Sequence, residues 1–194
     1  MAVAVSMSER TLYAAGFGFA NANTVCRASD ETAFYIASST KALTATAVTL
    51  LAAHGEYNLQ ASVARHVPGL RFKEPLDAGD VTMERLLTLT HGIEPAGPVT
   101  VRTAFAGDFS GEFLVGLLAD YGPSESGNTF RYDNLGYVIL GMALDPGGGR
   151  GWKRVVQREV LDPLGMRSTR KPPRRAGGPT CTPVASSGGF RRSR

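Results

Sequence analysis

The sequence has few cysteines and no long apolar run. Its two cysteines, Cys26 and Cys181, are far apart among 194 residues and imply no disulfide framework, so we expect two plain thiols. No stretch approaches transmembrane length, and the first residues lack the basic and apolar segments of a signal peptide. These absences exclude a disulfide-stapled secreted fold and favour a cytoplasmic location.

Acidic residues are absent from the last 28 positions, which hold eight Lys and Arg. Residues 1–166 carry 13 Lys and Arg against 17 Asp and Glu, so this part is mildly acidic although the whole chain has a formal charge of +4. The basic segment also lacks apolar periodicity, which predicts that residues 168–194 are disordered. We therefore expect one domain over residues 1–166 and a basic tail over 167–194.

Apolar periodicity predicts a mixed α/β (α+β) chain. Residues 2–6 and 11–19 are short runs rich in Val, Tyr, Phe and Ala, which is typical of a β-hairpin. A first helix is predicted to begin at Ser38 or Ser39, with Gly55 as its C-cap. Further helices are predicted over residues 83–89, 111–121, 134–144 and 152–161. The expected architecture is a helical region with an incomplete antiparallel sheet that consists of the N-terminal hairpin only.

The stretch Ser38-Ser39-Thr40-Lys41 lies at the start of the first predicted helix. The three-residue spacing places Ser38 and Lys41 on nearly the same face, within hydrogen-bond reach of each other. A serine hydroxyl is a weak nucleophile until an adjacent base takes its proton, and a lysine can be that base only if its pKa falls. The alternative is an N-cap serine beside a surface lysine.

A second motif lies about ninety residues later in the segment 130–137, which reads Phe-Arg-Tyr-Asp-Asn-Leu-Gly-Tyr. Its Tyr132 and Asn134 are predicted to lie on a loop that enters a helix, and active-site side chains are often presented in this way. Each motif is weak evidence when taken alone, because chance also produces such short patterns. If both serve one site, the Ser38 hydroxyl should lie within a few ångströms of the Lys41 amine and the Tyr132 phenol.

The sequence resembles the serine β-lactamase and penicillin-binding superfamily, in particular its class C β-lactamase-like serine hydrolases. The matching segments in chain order are 16–19 (Gly-Phe-Gly-Phe), 34–41 (Phe-Tyr-Ile-Ala-Ser-Ser-Thr-Lys), 86–93 (Leu-Leu-Thr-Leu-Thr-His-Gly-Ile), 130–137 and 163–166 (Pro-Leu-Gly-Met). The resemblance implies a β-lactamase/transpeptidase-like fold, with Ser38 as the acylated nucleophile and Lys41 as its proton partner. It also implies that Tyr132 is the general base or proton shuttle and that Asn134 binds the substrate amide or carbonyl. No cofactor and no metal are implied.

Two departures from the family pattern bear on activity. The loop after the Leu86-Leu87 helix reads Leu-Thr-His-Gly where family members carry His-Thr-Ser-Gly, so we interpret His91 as a structural loop residue. The family's third motif, Lys or His followed by Thr or Ser and then Gly, is absent from the tail. The chain therefore resembles the front half of a hydrolase, a partial domain over residues 1–166 with a tail that is consistent with out-of-frame translation.

Three functions remain open on the sequence. The first is a serine hydrolase that forms an acyl-enzyme with a β-lactam, peptide or ester, and the second is a non-catalytic fragment or binding module that retains part of the site. The third treats the basic tail as a nucleic-acid-binding arm, but the tail lacks interleaved aromatics and a folded recognition element. We expect a small-molecule or peptide substrate, no nucleic acid, no membrane partner, and self-association through an open edge of the hairpin.

Overall fold

The computed structural model describes residues 1–8, 10–21, 26–30, 32–105, 110–144, 151–166 and 169. These residues form two compact units, one from Met1 to Ile36 and the other from Ala37 to Met166. The disorder expected for residues 168–194 concerns a segment that, apart from Thr169, lies outside the described residues. The division into a domain over 1–166 and a tail over 167–194 therefore stays a prediction.

The N-terminal unit begins with the expected hairpin. Strand β1 (Ala2–Met7) pairs antiparallel with β2 (Arg10–Gly16), and the register places Val5 opposite Tyr13. Ser8, in the connecting turn, has a φ of +48°, a value that a tight turn requires and that L-residues rarely adopt. Most side chains of both strands are exposed, so among the described residues the hairpin offers little apolar burial.

A second small sheet follows the hairpin and was not expected. Strand β3 (Phe19–Asn21) pairs antiparallel with β4 (Cys26–Arg27), where the sequence had predicted the end of the hairpin and a polar loop. Gly18 has a φ of +75°, which only glycine adopts readily, and this turn separates β3 from β2. The expectation of a sheet made from the N-terminal hairpin only is therefore wrong in this detail.

Cys26 in β4 is disulfide-bonded. The prediction of a plain thiol is wrong for this residue, because separation along the chain does not limit which two sulfurs meet in the folded state. Cys181 lies outside the described residues.

Six α-helices make up the described part of the second unit. A 3₁₀ turn over Ala37–Ser39 leads into α1 (Thr40–Ala53). The other helices are α2 (Met83–Leu87), α3 (Gly97–Phe105), α4 (Gly111–Leu118), α5 (Leu135–Ala143) and α6 (Gly151–Val156), which continues as a π-helical turn over Gln157–Leu161. Sequence analysis had predicted all of them except α3, whose Val and Thr residues have low intrinsic helix propensity.

Local sequence explains where several helices begin and end. Thr82 caps α2 by accepting a hydrogen bond from the backbone N–H of Arg85, and Ser110 caps α4 in the same way through Phe113. At the other end of α1, Gly55 has a φ of +77° and its N–H donates to the Ala52 carbonyl. This is the glycine-terminated C-cap that the sequence predicted.

Among the described residues, the larger of two apolar cores holds α1, α2, α4 and α5 together. Its largest fully buried side chains are Leu51, Met83, Leu86, Ile93, Leu118, Leu135, Ile139 and Leu140. Helix α5 lies so close to the end of α2 that a Cβ on Gly136 would be 3.0 Å from the Leu86 carbonyl oxygen. Because Lys41 lies in α1 and the other candidate site residues lie directly before α1 or α5, this core fixes the site. Within the described residues, no helix combines the length and the apolarity needed to cross a bilayer.

Candidate active site

Ser38 and Lys41 lie at the junction between the 3₁₀ turn and α1. The Lys41 Nζ donates to Ser38 Oγ at 3.2 Å. The alternative of a capping serine does not describe this site, because Ser39 occupies the N-cap position and makes no side-chain capping bond. Ala37, immediately before Ser38, has a φ of +45°, and such values in residues other than glycine cluster at functional sites.

Tyr132 and Asn134 complete the same cluster from the loop before α5. Lys41 Nζ donates to Tyr132 Oη at 3.2 Å and to Asn134 Oδ1 at 2.5 Å. It also lies 4.9 Å from the centroid of the Tyr132 ring. The structure thus brings together all four residues that the sequence had selected. The expected proximity of the Ser38 hydroxyl to the Lys41 amine is confirmed, and the Tyr132 phenol bonds to the same amine. Their chemical roles stay predictions.

The pKa of the Tyr132 phenol is lowered from its ordinary value. The largest cause is a hydrogen bond with Ser38, followed by the hydrogen bond with Lys41; these outweigh desolvation, which raises the pKa, and the charge of Lys41 lowers it slightly further. The side chain remains 57% exposed, so water screens part of this effect. A larger fraction of Tyr132 is therefore phenolate at a given pH than for a free tyrosine, and a phenolate can accept a proton from a serine hydroxyl.

Tyr137 also contacts this cluster, although sequence analysis gave it no role. Its ring centroid lies 5.6 Å from Lys41 Nζ, within the range of a cation–π interaction. Its hydroxyl donates to the Leu87 carbonyl at 3.2 Å, and burial raises its pKa, with a smaller contribution from Tyr132. One feature of the sequence could have pointed to Tyr137: it follows Asn134 by three residues, a spacing that places two side chains on the same side of a helix.

A second cluster lies behind the Tyr132 loop and contains His91, Arg131 and Asp133. Asp133 Oδ1 accepts from the Gly136 N–H at 3.2 Å and lies 3.3 Å from His91 Nε2, while Oδ2 lies 3.3 Å from Arg131 Nη2. Burial alone would raise the pKa of Asp133, but the hydrogen bonds with His91, Gly136 and Arg131 hold it below its ordinary value. Sequence analysis did not single out Arg131 or Asp133.

The family model described as Beta-lactamase matches residues 1–192. The chain belongs to this family. The match extends past residue 166, where the sequence motifs quoted above end. The predicted fold class is confirmed as well, because an octameric penicillin-binding protein homologue from Pyrococcus abyssi superposes with a TM-score of 0.66 at 27% identity, over 86% of this chain and 39% of that one.

Two further relatives agree with this assignment. Penicillin-binding protein 4 of Amycolatopsis lactamdurans is 33% identical over 147 residues, which are 75% of this chain and 38% of that protein. A class C β-lactamase solved in complex with cefoxitin has a TM-score of 0.65 at 22% identity, over 86% of this chain and 44% of that one, a likeness of fold. The chain spans about a third of the length of the curated relatives it matches, between 31% and 38%.

Proposed function

We propose that this chain carries the nucleophile and the proton-transfer groups of a serine hydrolase that acts through an acyl-enzyme on β-lactam, peptide or ester substrates. The observation that carries the proposal is the set of hydrogen bonds from Lys41 Nζ to Ser38 Oγ, Tyr132 Oη and Asn134 Oδ1. An ammonium group has three N–H donors, and these three oxygens match them. Lys41 therefore acts as the fixed cation of the site.

In this arrangement Tyr132 is the base. Its phenolate takes the proton from Ser38 Oγ while that oxygen forms a bond to the substrate carbonyl carbon. When the tetrahedral intermediate collapses, the bond to the leaving group breaks and Tyr132 returns the proton to the leaving atom. Water then attacks the acyl group on Ser38, again with Tyr132 as base, and the serine hydroxyl is restored.

Asn134 has a binding role in the same proposal. Its Oδ1 faces Lys41, so its amide NH₂ is the group that can donate to a substrate carbonyl or amide oxygen. The resemblance assigns one oxyanion donor to the Ser38 backbone N–H and the other to the strand of the third motif. Each such donor is worth about 10²- to 10³-fold in rate.

The test measures covalent labelling of the purified chain by a fluorescent penicillin, a chromogenic ester and a fluorophosphonate, with mass spectrometry to locate the adduct. We expect an adduct on Ser38 that is lost in Ser38→Ala and strongly slowed in Lys41→Met and Tyr132→Phe. The relative rates of the penicillin and the ester distinguish those two substrate classes, whereas the fluorophosphonate reports only that Ser38 is nucleophilic. Labelling that persists in Ser38→Ala would refute the nucleophile assignment, and a folded chain that no probe acylates would favour the binding-module alternative.

A further inference from the structure

We propose that His91, Arg131 and Asp133 are positioning residues, which hold the segment 131–134 so that Tyr132 and Asn134 meet Lys41. The kinetic part of this inference rests on the proposed function, whereas its structural part does not. The proposal gives a specific role to His91, whose place in the loop sequence departs from the family pattern, and to two charged residues that flank the candidate base.

Contacts along the segment alternate between its two sides. Tyr132 and Asn134 bond to Lys41 on α1, whereas Arg131 and Asp133 bond to the loop after α2. The segment therefore has one side that faces the reacting groups and one side that is anchored, and movement of the anchored side moves both contacts to Lys41.

The anchored side forms a closed ring of hydrogen bonds that includes both the backbone N–H and the backbone carbonyl of Ile93. The Ile93 N–H donates to His91 Nδ1 at 3.1 Å, and the Ile93 carbonyl accepts from Arg131 Nη2 at 2.5 Å. Asp133 closes the ring, because His91 Nε2 and Arg131 Nη2 each lie 3.3 Å from one of its carboxylate oxygens. A ring of this kind restrains two segments more firmly than any one of its bonds, since each bond fixes the geometry of the next.

The ring also fixes the tautomer of His91. Because Nδ1 accepts a backbone N–H, the ring proton must be on Nε2, where it can be donated to Asp133. The imidazole is 2% exposed, and Gly136 at the start of α5 lies so close that a Cβ there would be 2.9 Å from His91 Cδ2. His91 is therefore closely packed and bonded through both ring nitrogens, and it contacts Asp133 rather than the residues proposed to react.

The variant Asp133→Asn separates positioning from a direct charge effect. Removing a negative charge near a phenol would by itself lower the pKa of Tyr132, because the phenolate would be less disfavoured. Loosening the segment has the opposite sign, since Tyr132 would lose its hydrogen bonds with Ser38 and Lys41, which are the groups that lower its pKa. A rise in the pKa of Tyr132 thus identifies positioning. The other charged or titratable groups near Tyr132 are Lys41, Tyr137 and Arg131, and none of them changes in this variant.

The experiment titrates Tyr132 by NMR in protein labelled at the tyrosine Cζ carbon, with Tyr132→Phe to assign its signal among the six tyrosines. We expect the pKa of Tyr132 to rise in Asp133→Asn towards the value found in Lys41→Met. The exposed Asp120→Asn serves as a matched control that removes the same charge elsewhere and should leave the pKa unchanged. An unchanged or lower pKa in folded Asp133→Asn overturns the proposal, whether or not Ser38 is acylated.

A second variant and a kinetic readout keep the test decisive. If circular dichroism shows that Asp133→Asn is unfolded, Arg131→Lys replaces it, because this side chain is 30% exposed and lysine keeps the charge. A single lysine nitrogen cannot replace both Nη1, which donates to Ser124, and Nη2, which donates to the Ile93 carbonyl and Asp133, so the anchoring is weakened; an unchanged pKa there overturns the proposal. Where the parent chain acylates, we expect about 10- to 100-fold slower acylation in Asp133→Asn with unchanged probe affinity, since a misplacement of about 1 Å can cost about 10²-fold. Equal acylation rates would also overturn it.

Discussion

Gly136 offers a direct test of how tightly α5 is seated on the loop that carries His91. In Gly136→Ala the new methyl carbon would lie 2.9 Å from His91 Cδ2, 3.0 Å from the Leu86 carbonyl oxygen and 3.2 Å from His91 Nε2. One neighbour is backbone and the other is a fully bonded, buried ring, so neither can move away without loss. Helix α5 must therefore shift, and it would carry Asn134 and the Tyr132 loop with it.

The net effect is the difference between two opposing terms. Alanine is favoured over glycine in a helix interior by about 1 kcal/mol, whereas overpacking a tight contact costs about 1–3 kcal/mol. We expect a net destabilisation of up to about 2 kcal/mol, which corresponds to a melting temperature lower by up to roughly 8 °C for a chain of this size. The matched control is Gly116→Ala in α4, where a Cβ would meet nothing within 4 Å. That substitution should stabilise the protein by up to about 1 kcal/mol.

Thermal and urea unfolding followed by circular dichroism measure both variants against the parent chain. Opposite signs for the two glycine-to-alanine changes are the expected result, because the helix-propensity term is shared and only the contact term differs. If Gly136→Ala were as stabilising as Gly116→Ala, the close approach of α5 to His91 would be wrong. Acylation of Ser38, where present, should fall in Gly136→Ala and stay unchanged in Gly116→Ala.

Two further predictions concern acid stability and self-association. The pKa of Asp133 is lowered in the folded state, so the ionised carboxylate stabilises the folded protein. This stabilisation is present above the ordinary carboxyl pKa of about 4 and is lost as the pH falls through the lower pKa of the folded state. Asp133→Asn should therefore be less stable at pH 7 and lose less stability on acidification, and an unchanged acid-unfolding profile would contradict this. We also propose that the exposed hairpin associates with a second copy through an open strand edge, so light scattering should show oligomers that Val5→Lys dissociates, and a monomeric parent chain would refute it.

Local sequence was sufficient for the elements and residues that local chemistry determines. The three-residue spacing of Ser38 and Lys41 brings them within hydrogen-bond reach across the junction of the 3₁₀ turn and α1, and the caps Thr82 and Gly55 follow from side-chain and backbone preferences. The start of α1 was less predictable, because the strained Ala37 holds Ser38 in a 3₁₀ turn before the helix rather than inside it. Helix α3 and the β3–β4 pair were missed because their residues have weak or mixed propensities.

The proximity of Ser38 and Tyr132 depends on tertiary structure, and the resemblance to a known family was the basis in the sequence for predicting it. Nothing in the order of residues states that α1 and α5 pack on one core, yet that packing is what brings Asn134 to Lys41. The Cys26 disulfide shows the same limit, since no local rule relates a cysteine to a distant partner.

The anchoring ring could have been suspected from one feature of the sequence. Arg131 and Asp133 place opposite charges on either side of Tyr132 in a segment that otherwise reads as apolar, and charged residues are rarely buried unless they are paired. The contact between Asp133 and His91 could not have been inferred from the sequence. His91 bonds to Ile93 through one ring nitrogen and to Asp133 through the other, and only the folded chain brings Asp133 to it. The side chains proposed to perform chemistry therefore follow a recognisable sequence motif, whereas the contacts of those that hold them in place become visible only once the chain has folded.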